Sequence, residues 1–209
     1  MSDLDDSSFP WPRAGDDPFG EEDARDWWHA AVLNYAGKRA DFIAYASGYK
    51  LAGDVLVSHV EATGSDQDFL VYPILFSYRQ YIELRLKYLI RYGRRLLDRR
   101  GDFPPHHRIR DLWTECASLL IEIEPESAQA VKDAGDALRR LAEIDPESYA
   151  FRYPMDRSGR RALPADLKRI NLRHVRDVVG RIAGFLDAAV DQVTEDLDLK
   201  REIEAEYGP

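Results

Sequence analysis

Cysteine is almost absent from this chain of 209 residues: Cys116 stands alone. A single thiol rules out an internal disulfide and fits a reducing compartment, so the expected location is the cytoplasm. Cys116 falls on an apolar helical face, where filling the core is the expected role rather than nucleophilic chemistry. Long hydrophobic runs are lacking too. Charges interrupt every window of the roughly 18 residues that a membrane-crossing helix needs, so no membrane partner is expected. The acidic opening MSDLDDSSFP fits neither a secretory signal nor a transit peptide. Glycine-rich nucleotide fingerprints, P-loops, HExxH and GxSxG are all missing, and no paired cysteines offer a metal cage. Neither a metal nor a cofactor is therefore expected.

What is present is ordinary globular composition, 44% hydrophobic and 32% charged, in a length that suits one domain with tails. The net charge of -9 argues against coating nucleic acid with the whole surface, but the charge is unevenly spread. Residues 1–26 carry nine acids against Arg13 and Arg25, whereas residues 79–115 carry ten bases against five acids. Such asymmetry suits a local anion site, or an acidic tail lying on a basic face.

The stretch Val71 to Arg110 organises the rest. Leu75, Tyr78, Ile82, Leu86 and Leu89 form one stripe, widened by Ile74, Tyr81 and Tyr88, so a long helix buried on two sides is expected. Pro73 places its start near Val71. Arg79, Glu83, Lys87 and Arg91 recur every four residues and predict a charged row along a remaining face. Gly101, Pro104 and Pro105 end that helix, and the next begins near His107 with Ile109, Leu112, Trp113, Cys116, Leu119, Leu120 and Ile123 inward.

Before the central helix, residues 1–20 read as a disordered acidic tail, though Phe9, Trp11 and Phe19 give it docking aromatics. A helix is expected from about Glu21, with Trp27, Val32 and Tyr35 on its face, and another over about Lys38 to Glu61. After the centre come a helix from about Ser127 to Glu143, a long irregular connection from Ile144 to Lys168, and a last helix starting at either Pro164 or Asn171. The sole strand candidate is the short run 149–153. The fold class is therefore all-α: an antiparallel bundle of about five to six helices spanning 21–193, with 194–209 as an acidic helix end or tail.

Three constellations carry candidate chemistry. His106 and His107 follow Arg99 and Arg100 across a short turn. Imidazole beside guanidinium suits metal-free cleavage of RNA, the imidazole moving the 2′-hydroxyl proton and the arginine stabilising the transition-state phosphorane; a helix-capping histidine is the structural alternative. Arg169 and His174 form a second pair, brought to one space if Asn171 caps the last helix. In the long connection, Phe151, Arg152, Tyr153 and Pro154 place an arginine between aromatics, either to pair with an acid such as Glu83 or to hold a phosphate.

Taken with the central YRQYIELRLKYLI segment and the HHRIRDLW that follows, FRYP makes residues 71–190 resemble the HEPN group of helical-bundle proteins. The resemblance implies a homodimer that acts as a metal-independent ribonuclease of a toxin or antiphage-defence system, with RNA or a nucleotide as partner. Its hallmark is Arg, four to six residues, then His. Arg100 with His106, Arg100 with His107, and Arg169 with His174 all fit that spacing. Arg152, Glu83 and Arg79 would support the site or bind phosphate. The polar residue after Arg and the tyrosine after His of the best-known toxin branch are not here. Other relatives lack catalysis and serve as binding or dimerisation modules, which is the alternative reading: a dimeric module for an acidic partner, nucleotide or RNA.

Overall fold

In the computed structural model of the chain, the described residues are 11–12, 14–19, 28–33, 37–156 and 158–208. The chain divides into a unit at residues 1–35 and a larger one at 36–209. In the first, residues 28–29 lie in a short 3-10 turn and residues 30–33 form no helix; positions 21–27 and 34–35 of the helix expected from Glu21, like Phe9, lie outside the described residues. Trp11 and Phe19 are exposed.

Among its described residues the larger unit is an all-α bundle of five helices: α1 (Gly37–Thr63), α2 (Gln67–Leu96), α3 (Ile109–Ile123), α4 (Ala128–Ile144) and α5 (Leu172–Tyr207). A single 3-10 turn, Pro125–Ser127, joins α3 to α4. Among the described residues there is no strand; 149–153 is a turn, and one isolated bridge joins Met155 to Arg161.

Helix α2 is the axis of the unit. It packs against α1, α3 and α5, while α4 covers α3 and α5. Its apolar stripe was expected to be buried on two sides; with three neighbours, Ile74, Tyr78, Tyr81, Ile82, Leu86 and Leu89 are almost wholly buried. The helix starts at Gln67 rather than near Val71. Pro73 falls inside it on an exposed face, where the backbone carbonyl it leaves without a donor can be hydrated. Cys116 is fully buried, and burial pushes its thiol pKa up, so it fills the core as expected.

Helix α5 starts at Leu172, with Asn171 as its cap: the Asn171 side chain accepts the His174 N–H at 3.0 Å. Of the two expected starts, Asn171 is the one realised. The helix then continues past 193 to Tyr207, and the boundary between bundle and acidic end falls within it. Val193 and Leu197 remain buried, and Lys200 Nζ donates to Leu96 O at 3.0 Å and to Asp98 at 2.6 Å. The last part of α5 thus clasps the end of α2.

Two glycines on α1 face opposite surroundings. A Cβ on Gly53 would lie 2.6 Å from the buried Tyr78 ring, whereas Gly48 has open space around it. Gly53→Ala is expected to lower stability by about 1–3 kcal/mol through forced repacking. Gly48→Ala is expected to raise it by about 0.5–1 kcal/mol, because alanine loses less backbone freedom in a helix. Urea unfolding of the two variants beside wild type checks both signs.

Candidate functional site

Arg79, Glu83 and Lys87 recur every four residues, as the sequence shows, but they do not form a solvent-facing row. All three are buried: Arg79 is 0% exposed and Glu83 is 2% exposed. The spacing is right and the side of the helix is wrong, because each charge finds a partner inside. Arg79 Nη1 donates to Glu83 Oε2 at 2.8 Å, and Lys87 Nζ donates to Glu83 Oε1 at 2.8 Å. Arg79 Nη2 donates to His107 O at 2.6 Å. Arg79 Nε lies 3.0 Å from Asp145 Oδ2, an ion pair without hydrogen-bond alignment. Asp145, at the end of α4, also accepts the N–H groups of Tyr149 at 2.7 Å and Ala150 at 2.9 Å.

One member of this cluster reaches solvent. The His107 side chain is 57% exposed, and its Nδ1 lies 2.7 Å from Glu83 Oε1. A carboxylate can only accept, so Nδ1 carries the hydrogen and Nε2 is left for exchange with a ligand. The helix after the turn starts at Ile109 rather than His107, which frees His107 to lie back over α2. Burial works to raise the Glu83 pKa. Hydrogen bonds from Lys87, His107 and Arg79 outweigh it and hold the carboxyl below the ordinary carboxylate range. The result is a fixed, ionised acid beneath an exposed imidazole, the arrangement by which a histidine is oriented for proton transfer.

The other candidate residues are placed differently. Arg79 is wholly enclosed, so it supports the site and cannot meet a phosphate arriving from solvent. Arg152 donates from Nε to Ser148 O at 2.7 Å and not to Glu83; its guanidinium lies 6.0 Å from the Phe76 ring centroid. His106 accepts weakly from its own turn, Arg108 N to Nδ1 at 3.4 Å. Arg100 lines a shallow depression of about 340 Å³ with Arg94, Arg99 and Glu115 at the far end of α2. Arg169 lines a separate cavity of about 500 Å³ with Asp68, Val71 and Tyr72. Those two sites are separated by a rise of about 35 Å along α2. His174 is exposed in the first turn of α5, and no hydrogen bond or ion pair joins it to Arg169 among the described residues. The structure therefore brings His107, Glu83 and Arg79 together, and within this chain it leaves Arg100, Arg169 and His174 apart from them.

Asp145 and Lys87 belong to the site and were not among its candidates. Lys87 was visible as part of the four-residue row. Asp145 had a fainter signal: Asp before Pro146 at a helix end favours a turn whose N–H groups the carboxylate can accept.

No family model, curated protein or solved structure matches this chain. The site's chemistry therefore rests on its own geometry. Among the described residues no group of His, Cys, Asp and Glu is arranged to hold a metal ion.

The buried pairing makes two expectations. Glu83→Ala leaves Arg79 and Lys87 underpaired in the core and is expected to cost about 3–5 kcal/mol. Because the folded pKa of Glu83 lies below its usual 4.5, its contribution is complete above that pH. It is lost as pH falls through the lower, folded value. Urea midpoints measured from neutral to acid pH should fall below about pH 4.5 in wild type, and Glu83→Gln should lack that part of the fall.

Proposed function

We propose that this chain is a HEPN-like, metal-independent ribonuclease in which His107 transfers the proton. The observation that carries the reading is the exposed imidazole held by a buried, ionised carboxylate. His107 Nε2 takes the proton of an RNA 2′-hydroxyl, and the 2′-oxygen attacks the adjacent phosphorus. The bond to the 5′-oxygen breaks, that oxygen takes a proton from water, and a 2′,3′-cyclic phosphate and a 5′-hydroxyl result. Glu83 holds the Nδ1–H and balances the imidazolium that forms. Arg152 is the cation assigned to the phosphate, since its Nη1 is outside the bond to Ser148 O. A homodimer and a role in phage defence belong to the same proposal and rest on the sequence resemblance; a cytoplasmic setting belongs to it too and rests on the single cysteine.

A second reading is favoured by one observation. Arg91, Arg94, Arg99 and Arg108 are each paired with an acid, namely Asp102, Glu115, Glu122 and Asp111. Arginines held in ion pairs are not aimed at a reacting phosphate, which suits a non-catalytic module that binds a nucleotide or RNA.

Incubating wild type and His107→Ala with single-stranded RNA in EDTA separates the two. Wild type is expected to leave 2′,3′-cyclic phosphate ends, and His107→Ala to lose about 10²–10⁴-fold in rate. The variant also loses one hydrogen bond to the buried Glu83, so thermal melting checks that it is folded at the assay temperature before rates are compared. No cleavage by wild type, or equal cleavage by the variant, sinks the catalytic reading; RNA retained without cleavage favours the binding module.

A further inference from the structure

The turn after α4 is held more firmly than covering the core requires. Ser148 is 2% exposed and sits at φ 61, a left-handed conformation that a non-glycine residue adopts only under constraint. Asp145 fixes the turn by accepting from Tyr149 and Ala150, and Arg79 fixes Asp145. Tyr149 O accepts the N–H groups of Arg152 and Tyr153, both at 3.1 Å. Ala150 and Phe151 are buried and would suffice as a plug.

What this locked turn displays is the pair Arg152 and Tyr153. Tyr153 is 48% exposed. Its ring stacks with Tyr149 at 4.6 Å between centroids and 29° between planes, and the Arg152 guanidinium lies 5.6 Å from its centroid. An aromatic ring fixed beside a guanidinium is how proteins hold unpaired bases, the ring by stacking and the cation by the neighbouring phosphate. The position also fits. Arg152 lies over Phe76, and Phe76 precedes Glu83, the acid that holds His107, by two turns of α2, a rise of about 10 Å.

We infer that Tyr153 and Arg152 form a base-stacking subsite for single-stranded RNA beside His107, an inference that takes its substrate class from the ribonuclease reading. Tyr153 holds a base against the tyrosine stack, and Arg152 holds the adjacent phosphate. The subsite positions the chain so that the next 2′-hydroxyl meets His107 Nε2. It recognises unpaired RNA, whose bases are free to splay, and discriminates against duplex.

The test uses the full chain carrying His107→Ala, with labelled oligoadenylate and an abasic ribose-phosphate oligomer of equal length, in EDTA. Adding Tyr153→Ala should weaken oligoadenylate binding roughly tenfold or more and leave the abasic oligomer unchanged; Tyr153→Phe should bind as the parent does. Arg152→Ala should weaken both oligomers. The subsite is overturned if the parent binds no oligoadenylate, or if Tyr153→Ala binds it as the parent does. Circular dichroism confirms that each variant is folded. Tyr153-dependent binding by a protein whose wild type cleaves nothing would end the ribonuclease reading and leave the subsite standing. His107-dependent cleavage with Tyr153-independent binding would do the reverse.

Discussion

The bonded cluster of Arg79, Glu83, Lys87 and Asp145 is the constraint on which the rest of the bundle depends. A buried charge costs several kcal/mol unless it is paired and hydrogen-bonded. Arg79 has no exposed surface at all, so its neighbours are not optional. They come from three places in the chain: Glu83 from α2 itself, Asp145 from the end of α4, and the His107 carbonyl from the turn before α3. Satisfying one guanidinium thereby fixes where α3 begins and where α4 ends, both relative to α2. Apolar contacts alone would let those helices slide; a directed hydrogen bond to the His107 carbonyl and an ion pair to Asp145 from one buried cation do not.

A second set of polar contacts does the same for α5. Tyr81 Oη donates to Asp187 at 2.8 Å, and Arg85 Nε lies 2.9 Å from the same carboxylate. The Tyr88 hydroxyl lies 2.7 Å from Thr194 Oγ1. Desolvation, and next the Asp187 bond, push the Tyr81 phenol above its ordinary pKa, keeping it a donor. Helix α2 thus carries two inward polar edges around its apolar stripe, one toward α3 and α4 and one toward α5. This explains how a helix with Arg79, Glu83, Arg85 and Lys87 in its interior can be the most buried element of the fold.

The candidate site is the place where that internal scaffold meets solvent. His107 is exposed while the acid that holds it is enclosed, so its orientation does not depend on a mobile surface partner. Arg79 bonds Glu83 on one side of the site and pairs with Asp145 on the other, and Asp145 holds the turn that displays Arg152 and Tyr153. One buried guanidinium therefore positions both the imidazole and the loop beside it. By contrast, Arg91 lies over the Phe42 and Phe103 rings and bonds Asp102, which serves the end of α2. Many of the arginines that make residues 79–115 basic are used in this way.

By itself the sequence determined the helices. Apolar residues at three- and four-residue steps set the faces of α2 and α3, Gly101 with Pro104 and Pro105 set the break between them, and Pro164 and Asn171 stood as the two possible starts of α5. These are local signals, carried by backbone propensity and by the period of a single helix. The charged row at Arg79, Glu83 and Lys87 was legible as a row, but its burial was not, since Asp145 lies 58 positions beyond Lys87. The same limit applied to the site: three Arg/His spacings looked equivalent along the chain. Only the tertiary structure put His107 on Glu83, set Arg100 and Arg169 near opposite ends of α2, and turned Arg79 inward. Periodicity reports which residues share a face; which face is covered, and by what charge, is decided by elements that meet only on folding.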